Sequence, residues 1–300
     1  MNKDRKKRKR IYWTLTLIPI ASAILFAILF PILYKKDFRC QITYPVGGDI
    51  PADEDQIMTV WFFDAGQADA SLIRTPDGKY IMIDAGSNEN ENVLKSYLKE
   101  IGVKKLDGLF LSHEHEDHIG GADMLIRDFN VSAIVLNRYP EDSVNVEKMF
   151  RMMNQKSLKL SLPDNGEIFR FGDVSITVML PDDDTDENSC AVFRVEYGNT
   201  VILYTGDAEA DEEASLLSFF PRYLNCDILK VGHHGSSTSS TDAFLRAVKP
   251  EYAVISCGAA NDYGHPNQEV LDRLDSIGCH VFRTDLDGTI VFRTDGTNLY

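Results

Sequence analysis

The chain has 300 residues, 44% of them hydrophobic and 26% charged, and carries a formal net charge of −15. Such a composition can fill one large α/β domain or two small ones and excludes a chain that is disordered throughout. The excess of acid argues against non-specific grip on a long polyanion, which neutralises phosphates with Lys and Arg.

The first ten residues, MNKDRKKRKR, hold seven Lys or Arg, and the twenty-four residues from Ile11 to Tyr34 hold no charge. An apolar run of that length spans a bilayer. A cleavable signal peptide has a shorter apolar core, about 7–15 residues, and ends at small residues, whereas this run ends in Leu33-Tyr34-Lys35-Lys36. Residues 11–34 are therefore expected to be an uncleaved single-pass membrane anchor. Seven basic residues precede it and three follow (Lys35, Lys36, Arg39), which places residues 1–10 in the cytoplasm and the remainder outside it. Residues 37–300 keep 22 of the 31 basic and 45 of the 46 acidic residues, a formal charge of −23. DNA is thus a possible but disfavoured partner, and a small or zwitterionic substrate suits the charge better.

Residues 35–57, with Pro45, Gly47-Gly48, Pro51 and a cluster of acids, read as a juxtamembrane linker, so that the folded domain is expected over 58–300. TVWFF (59–63) and KYIMI (79–83) predict two strands, with a turn at Pro76-Asp77-Gly78 between them. Val93, Leu94, Tyr97, Leu98 and Ile101 recur at helical spacing and Gly102 stops the helix. LDGLFL then predicts a buried strand running into Ser112. Further strands are expected near 132–136, 167–171, 174–180, 190–197 and 200–205, with a hairpin turn at Gly198-Asn199. Helices at 209–219, 240–248 and 266–277 alternate with strands at 226–231, 252–257 and 279–284, a pattern that suits packed sheets with helices outside.

The chemistry concentrates where the LDGLFL strand ends. His113, His115, Asp117 and His118 form H-x-H-x-D-H, so three of the seven histidines lie within six positions. In an extended segment His113 and His115 point to one side and can share a metal, while Asp117 and His118 begin a helical turn and can reach a second. Gly120 and Gly121 let the chain fold back closely. Imidazole and carboxylate donors suit zinc, and also manganese or iron. Asp207, at the end of VILYTG, is the candidate bridging carboxylate. His233-His234-Gly235-Ser236-Ser237 and Tyr263-Gly264-His265-Pro266 follow two later strands and present further donors. His280 lies within a strand pattern without acidic or histidine neighbours and reads as structural. The five cysteines (Cys40, Cys190, Cys226, Cys257, Cys279) are odd in number and widely spaced, so they read as small buried hydrophobes rather than a disulfide framework or a thiolate site.

The order H-x-H-x-D-H, T-G-D, G-H-H-G-S and Y-G-H-P resembles the metallo-β-lactamase superfamily, most closely the soluble domain of the ComEC-type DNA-uptake competence proteins. FFDAGQADASLIRTPDGKYIMIDAG (62–86) is similar to that group's opening strands, with Gln67 and Asp69 in place and Ala68 where a Gly is usual. The resemblance covers about residues 58–293 and implies an αββα four-layer α/β sandwich with two divalent metals, zinc foremost, at one edge. It implies His113 and His115 on one metal, Asp117, His118 and His265 on the other, and Asp207 between them. A further histidine common in the superfamily is missing between His118 and Asp207, where Asn188-Ser189-Cys190 stands, so the first metal has fewer protein ligands unless His233 or His234 compensates.

Two metals lower the pKa of a shared water and clamp both oxygens of a displacement. The expected activity is hydrolysis of a phosphodiester outside the cell, either nucleic acid or a phosphocholine or wall-polymer ester, with Asp117, His233 and His234 as catalytic candidates and Ser236-Ser237 binding phosphoryl oxygens. Lactone or β-lactam hydrolysis is the second enzymatic reading, since fold does not determine chemistry, and a metal-poor binding module is the non-enzymatic one. Nothing in the sequence calls for an obligate protein partner.

Overall fold

The computed structural model describes residues 41–46, 54–141, 143–181 and 189–300. The expected cytoplasmic tail, the anchor and most of the linker lie outside these residues, and among the described residues no helix is long and apolar enough to cross a membrane.

Fifteen of the seventeen strands among the described residues build two large sheets. The first orders β1 (Ile42–Thr43), β17 (Thr289–Thr294), β2 (Met58–Phe62), β3 (Ala70–Arg74), β4 (Tyr80–Ala85), β6 (Gly108–Leu111), β8 (Ile134–Leu136) and β9 (Leu160–Ser161). The second orders β10 (Ile168–Phe171), β11 (Val174–Met179), β12 (Val192–Tyr197), β13 (Thr200–Tyr204), β14 (Ile228–Lys230), β15 (Tyr252–Ile255) and β16 (His280–Arg283). A small parallel pair, β5 (Lys105–Leu106) with β7 (Asn130–Val131), stands apart.

Successive strand residues face opposite sides of a sheet, and here both sides are buried. Ile81, Phe110, Ile176, Phe193, Ile202 and Val254 fill the layer between the sheets. Their neighbours Met82, Leu109 and Leu111 turn outward to meet Leu94, Leu98, Leu125, Met149 and Met153 from the helices Glu91–Ile101, Ala122–Asp128 and Val144–Lys156. Leu203, Leu229 and Ala253 likewise meet Leu216, Leu245, Val270 and Leu274 from the helices Ala210–Phe219, Asp242–Val248 and Gln268–Ser276. The result is an αββα sandwich. Phe110 anchors its centre, meeting Phe169, Phe171 and Phe193 edge-on at centroid distances of 5.2, 6.1 and 5.6 Å, contacts worth about 0.5–1.5 kcal/mol each beyond burial.

The expected hairpin is present, with Tyr197 opposite Thr200. The elements that were not expected include β3, the helix Val144–Lys156, the C-terminal strand β17 and, inside the segment read as linker, β1. Strand β17 runs antiparallel to β2, and Ile42–Thr43 pairs with it as a parallel edge strand, so the compact unit extends over Ile42–Tyr300.

Each sheet contains a parallel block, β4–β6–β8 in the first and β13–β14–β15–β16 in the second. The carboxyl ends of parallel strands share one edge, where loops form a crevice suited to ligands. All the chemistry-bearing loops follow such ends.

Candidate metal centre

Beyond β6 the chain bends at Ser112 and Glu114 and is extended at His115 (φ −65°, ψ 150°) before the short helix Glu116–Ile119. The His113 and His115 rings lie together, their centroids 4.5 Å apart, while Glu114 between them meets Arg138 at 3.0 Å. The backbone then passes so close to β4 that a Cβ on Gly121 would lie 2.3 Å from the Ala85 carbonyl oxygen. Glycine is required there, as the sequence suggested.

Donor atoms from three segments converge on this edge. Asp117, His118, Asp207 and His234 each offer an atom within 4.8 Å of the others, and so do His113, His115 and Asp207. Asp207 belongs to both groups, with Oδ1 3.1 Å from His118 Nε2 and Oδ2 3.8 Å from His113 Nε2. His234 Nε2 lies 3.0 Å from Asp117 Oδ2. The buried atoms His113 Nε2, His118 Nε2 and Asp207 Oδ1 lack an aligned hydrogen bond, although the last two lie 3.1 Å apart. Buried polar atoms are normally satisfied, so orphaned donors gathered within a few ångströms fit divalent cations.

The other face of each imidazole is held. His118 Nδ1 lies 3.0 Å from Asp84 Oδ2, and Asp84 accepts from Ser112 N at 2.7 Å and Ser112 Oγ at 2.9 Å. His234 Nδ1 donates to the Ser256 carbonyl at 2.9 Å and lies 3.4 Å from Asp69 Oδ1. Asp69 pairs with the buried Lys230 at 2.8 Å. Such partners orient metal-ligating histidines and raise their basicity.

The electrostatics fit the same purpose. Burial and the neighbouring His118 charge push His113 well below the ordinary histidine value, leaving it neutral. Burial alone would lower His118 and His234, but Asp207 and Asp84 lift His118 well above it, and Asp69, Asp117 and Asp207 lift His234 to about 10. Burial would raise Asp117, yet His234 and His118 hold it at about 2. Protons on His118 and His234 thus occupy places that cations would take.

His233 and His265 stand at the rim. The backbone is left-handed at His233 and His234 (φ 48° and 52°), which turns adjacent side chains to different tasks. His234 is buried among the donors, while His233 is half-buried, with Nδ1 3.0 Å from Glu209 Oε1 and Nε2 3.8 Å from Asp207 Oδ2. His265, expected beside Asp117 and His118, lies in none of the donor groups. It stacks on exposed Tyr263 and faces the His233 ring at 5.7 Å, and its Nδ1 is 3.4 Å from Gln67 Nε2. His234, not His265, lies within reach of Asp117, His118 and Asp207. Ser236 is buried and Ser237 exposed. Where a further histidine was missed, Cys190 is buried and donates to the Thr205 carbonyl at 3.5 Å, away from the donor groups, and Asn188 lies outside the described residues. Cys190, Cys226, Cys257 and Cys279 are all buried and free, as expected; Cys40 lies outside the described residues. His280 stays exposed on β16 against Tyr252.

Sequence reasoning did not find Asp84, Lys230 or Glu209, and quoted Asp69 and Gln67 without a role. Asp84 and Lys230 end apolar runs and Gln67, Asp69 and Glu209 lie in loops, signals too common to single out without their spatial partners.

A family model described as the Metallo-beta-lactamase superfamily matches residues 63–259. The chain belongs to the metallo-β-lactamase superfamily. Among its superfamily relatives it is 32% identical over 250 residues to ComE operon protein 3 of Bacillus subtilis (strain 168), an alignment covering 77% of this chain and 32% of that protein. It is 33% identical over 257 residues to competence protein ComA of Neisseria gonorrhoeae, covering 81% and 33%. The chain spans about a third of the length of these curated relatives, and the resemblance to ComEC-type competence proteins holds over that shared part. Among solved structures, the metallo-beta-lactamase fold protein YhfI from Bacillus subtilis superposes with a TM-score of 0.56 at 17% identity, over 79% of this chain and 100% of that one. Igni18, a metallo hydrolase from Ignicoccus hospitalis, gives 0.51 at 16% identity, over 79% and 98%. Both likenesses concern the fold alone. The donor groups of this superfamily domain fit divalent cations.

Proposed function

We propose that this domain hydrolyses phosphodiesters, with Asp117, His118, Asp207 and His234 holding one divalent cation and His113, His115 and Asp207 a second. Bound there, the cations supply a Lewis acid and an activated water. The observation that carries the reading is the pairing of His233 with Glu209 beside Asp207. Glu209 also accepts from Thr238 Oγ1 at 2.9 Å, so the carboxylate is itself fixed. It accepts from His233 Nδ1 and leaves Nε2 facing the donor groups, where it can hold a proton and release it to a departing oxygen. A phosphodiester needs that proton because its leaving group is an alkoxide.

The rim favours an extended substrate. His115, Glu209, Ser237, Thr238 and Tyr263 are exposed around the donors, and Tyr263 with His265 presents a stacked aromatic face. Relatives named for competence and recombination support a nucleic acid strand, while the acidic surface supports a zwitterionic or wall-polymer ester. We further propose zinc as the resident metal, and residues 11–34 as an anchor holding the domain on the outer face of the membrane.

The test is metal analysis of the purified full chain together with turnover of bis-p-nitrophenyl phosphate by the wild type and Asp207→Ala. About two metals per chain, with turnover lost in the variant, supports the proposal. Metal without turnover would remove the phosphodiester and leave the lactone or β-lactam reading; absence of metal would leave a binding module.

A further inference from the structure

Lys230, at the end of β14, is 2% exposed, and its ammonium reaches Asp69 Oδ2 at 2.8 Å and the Val231 carbonyl at 2.9 Å. The proton and water chemistry above uses neither residue. Taking both charges out of water is costly, and an apolar pair of similar volume commonly serves stability as well. Packing is therefore a poor account of the pair, and its contacts suggest a better one.

The Asp69 backbone N–H donates to the Asp117 carbonyl at 3.0 Å. The Lys230 carbonyl accepts from Thr205 Oγ1 at 2.9 Å, two residues before Asp207. Asp69 Oδ1 has no aligned hydrogen bond and sits 3.4 Å from His234 Nδ1, whose proton goes to Ser256 instead. One buried ion pair thus touches the segments that carry Asp117, Asp207 and His234.

We propose that Lys230 is a positioning residue of the metal centre: by engaging Asp69 it keeps that carboxylate from capturing His234, and so keeps His234 Nε2 facing Asp117 and Asp207. Without the ammonium, Asp69 is a buried carboxylate short of a donor, and the adjacent N–H on offer is His234 Nδ1. The imidazole then turns from Ser256 toward Asp69, and its Nε2 leaves the donor group. This role concerns ligand geometry and holds whatever ester the domain cleaves.

The experiment loads the full chain with Co2+ and reads affinity by chelator competition and geometry by visible absorption, with no substrate present. Lys230→Met is expected to lower Co2+ affinity about 10–100-fold, as for partners of ligating histidines, and to shift the absorption bands. Lys230→Met/Asp69→Asn, which removes the carboxylate that would draw His234 away, is expected to recover most of the loss. If Lys230→Met does not fold, Lys230→Gln takes its place under the same two criteria. Wild-type affinity and spectrum in the folded single variant, or a loss the double variant fails to recover, would overturn the proposal.

Discussion

His118 and Asp84 face one another across the floor of the site, Nδ1 to Oδ2 at 3.0 Å, with 0% and 3% of their surfaces exposed. The contact commits Nδ1 to the protein and leaves Nε2 for Asp207 and a cation. Asp84→Ala should therefore weaken Zn2+ binding about 10–100-fold, measured by calorimetric titration of the metal-free chain. Unchanged affinity would show that Ser112 and packing suffice to orient the ring.

Adjacent histidines should give opposite phenotypes. His234→Ala is expected to lose metal, because it removes a member of the Asp117 group. His233→Ala should keep its metal and lose about 10²–10⁴-fold in kcat on a diester with an alkoxide leaving group, the usual worth of a proton donor. His265→Ala should keep its metal too and raise KM, since the ring lies with Tyr263 at the rim. Elemental analysis beside steady-state kinetics separates the three, and metal loss in His265→Ala would restore the assignment suggested by family resemblance.

Stability and metal affinity should respond to pH in opposite directions. Despite burial, surrounding carboxylates lift His234 to about 10 from an ordinary 6.5, and His118 well above the same value. A group raised on folding stabilises in full below its unfolded value, and the contribution fades as pH rises to the folded one. Tm of the metal-free chain should accordingly fall from about pH 6.5 to pH 10, while Zn2+ affinity climbs over the same range because fewer protons must be displaced. At the acid end, Asp117, held at about 2 from an ordinary 3.8, contributes above 3.8 and loses that contribution as pH falls toward 2. A flat Tm between neutral and alkaline pH would refute the protonated pairings.

Gly121→Ala should destabilise the fold by about 1–3 kcal/mol, the usual cost of overpacking, because the added Cβ would meet a carbonyl oxygen 2.3 Å away rather than a side chain that can yield. Urea unfolding measures it, and a neutral result would mean that the helix after the motif shifts without cost.

Much of the fold was legible because strand and helix periods survive in the sequence. The helices at 210–219, 242–248 and 268–276 fall within their expected windows. ASLIR escaped notice because β3 begins with small residues and is buried on both faces, which erases alternation. The helix Val144–Lys156 escaped too, although Val146, Met149 and Met153 recur at helical spacing behind a Ser143 cap. Strand β17 follows so closely on β16 and a short turn that only its pairing with β2 distinguishes it.

For the site, the sequence by itself determined the family and named the candidate donors His113, His115, Asp117, His118 and Asp207, because the first four lie within six positions on one strand end. Only the tertiary structure put His234 within a candidate donor group and left His265 outside them. That choice turns on a left-handed bend at His233 and His234, which no side-chain pattern encodes. It likewise supplied Asp84, Asp69 and Glu209, which reach their histidines across 34, 165 and 24 residues, and Lys230, which reaches Asp69 across 161. An ion pair or hydrogen bond acts over a few ångströms of space, and the separation of its partners along the chain leaves no trace in local sequence.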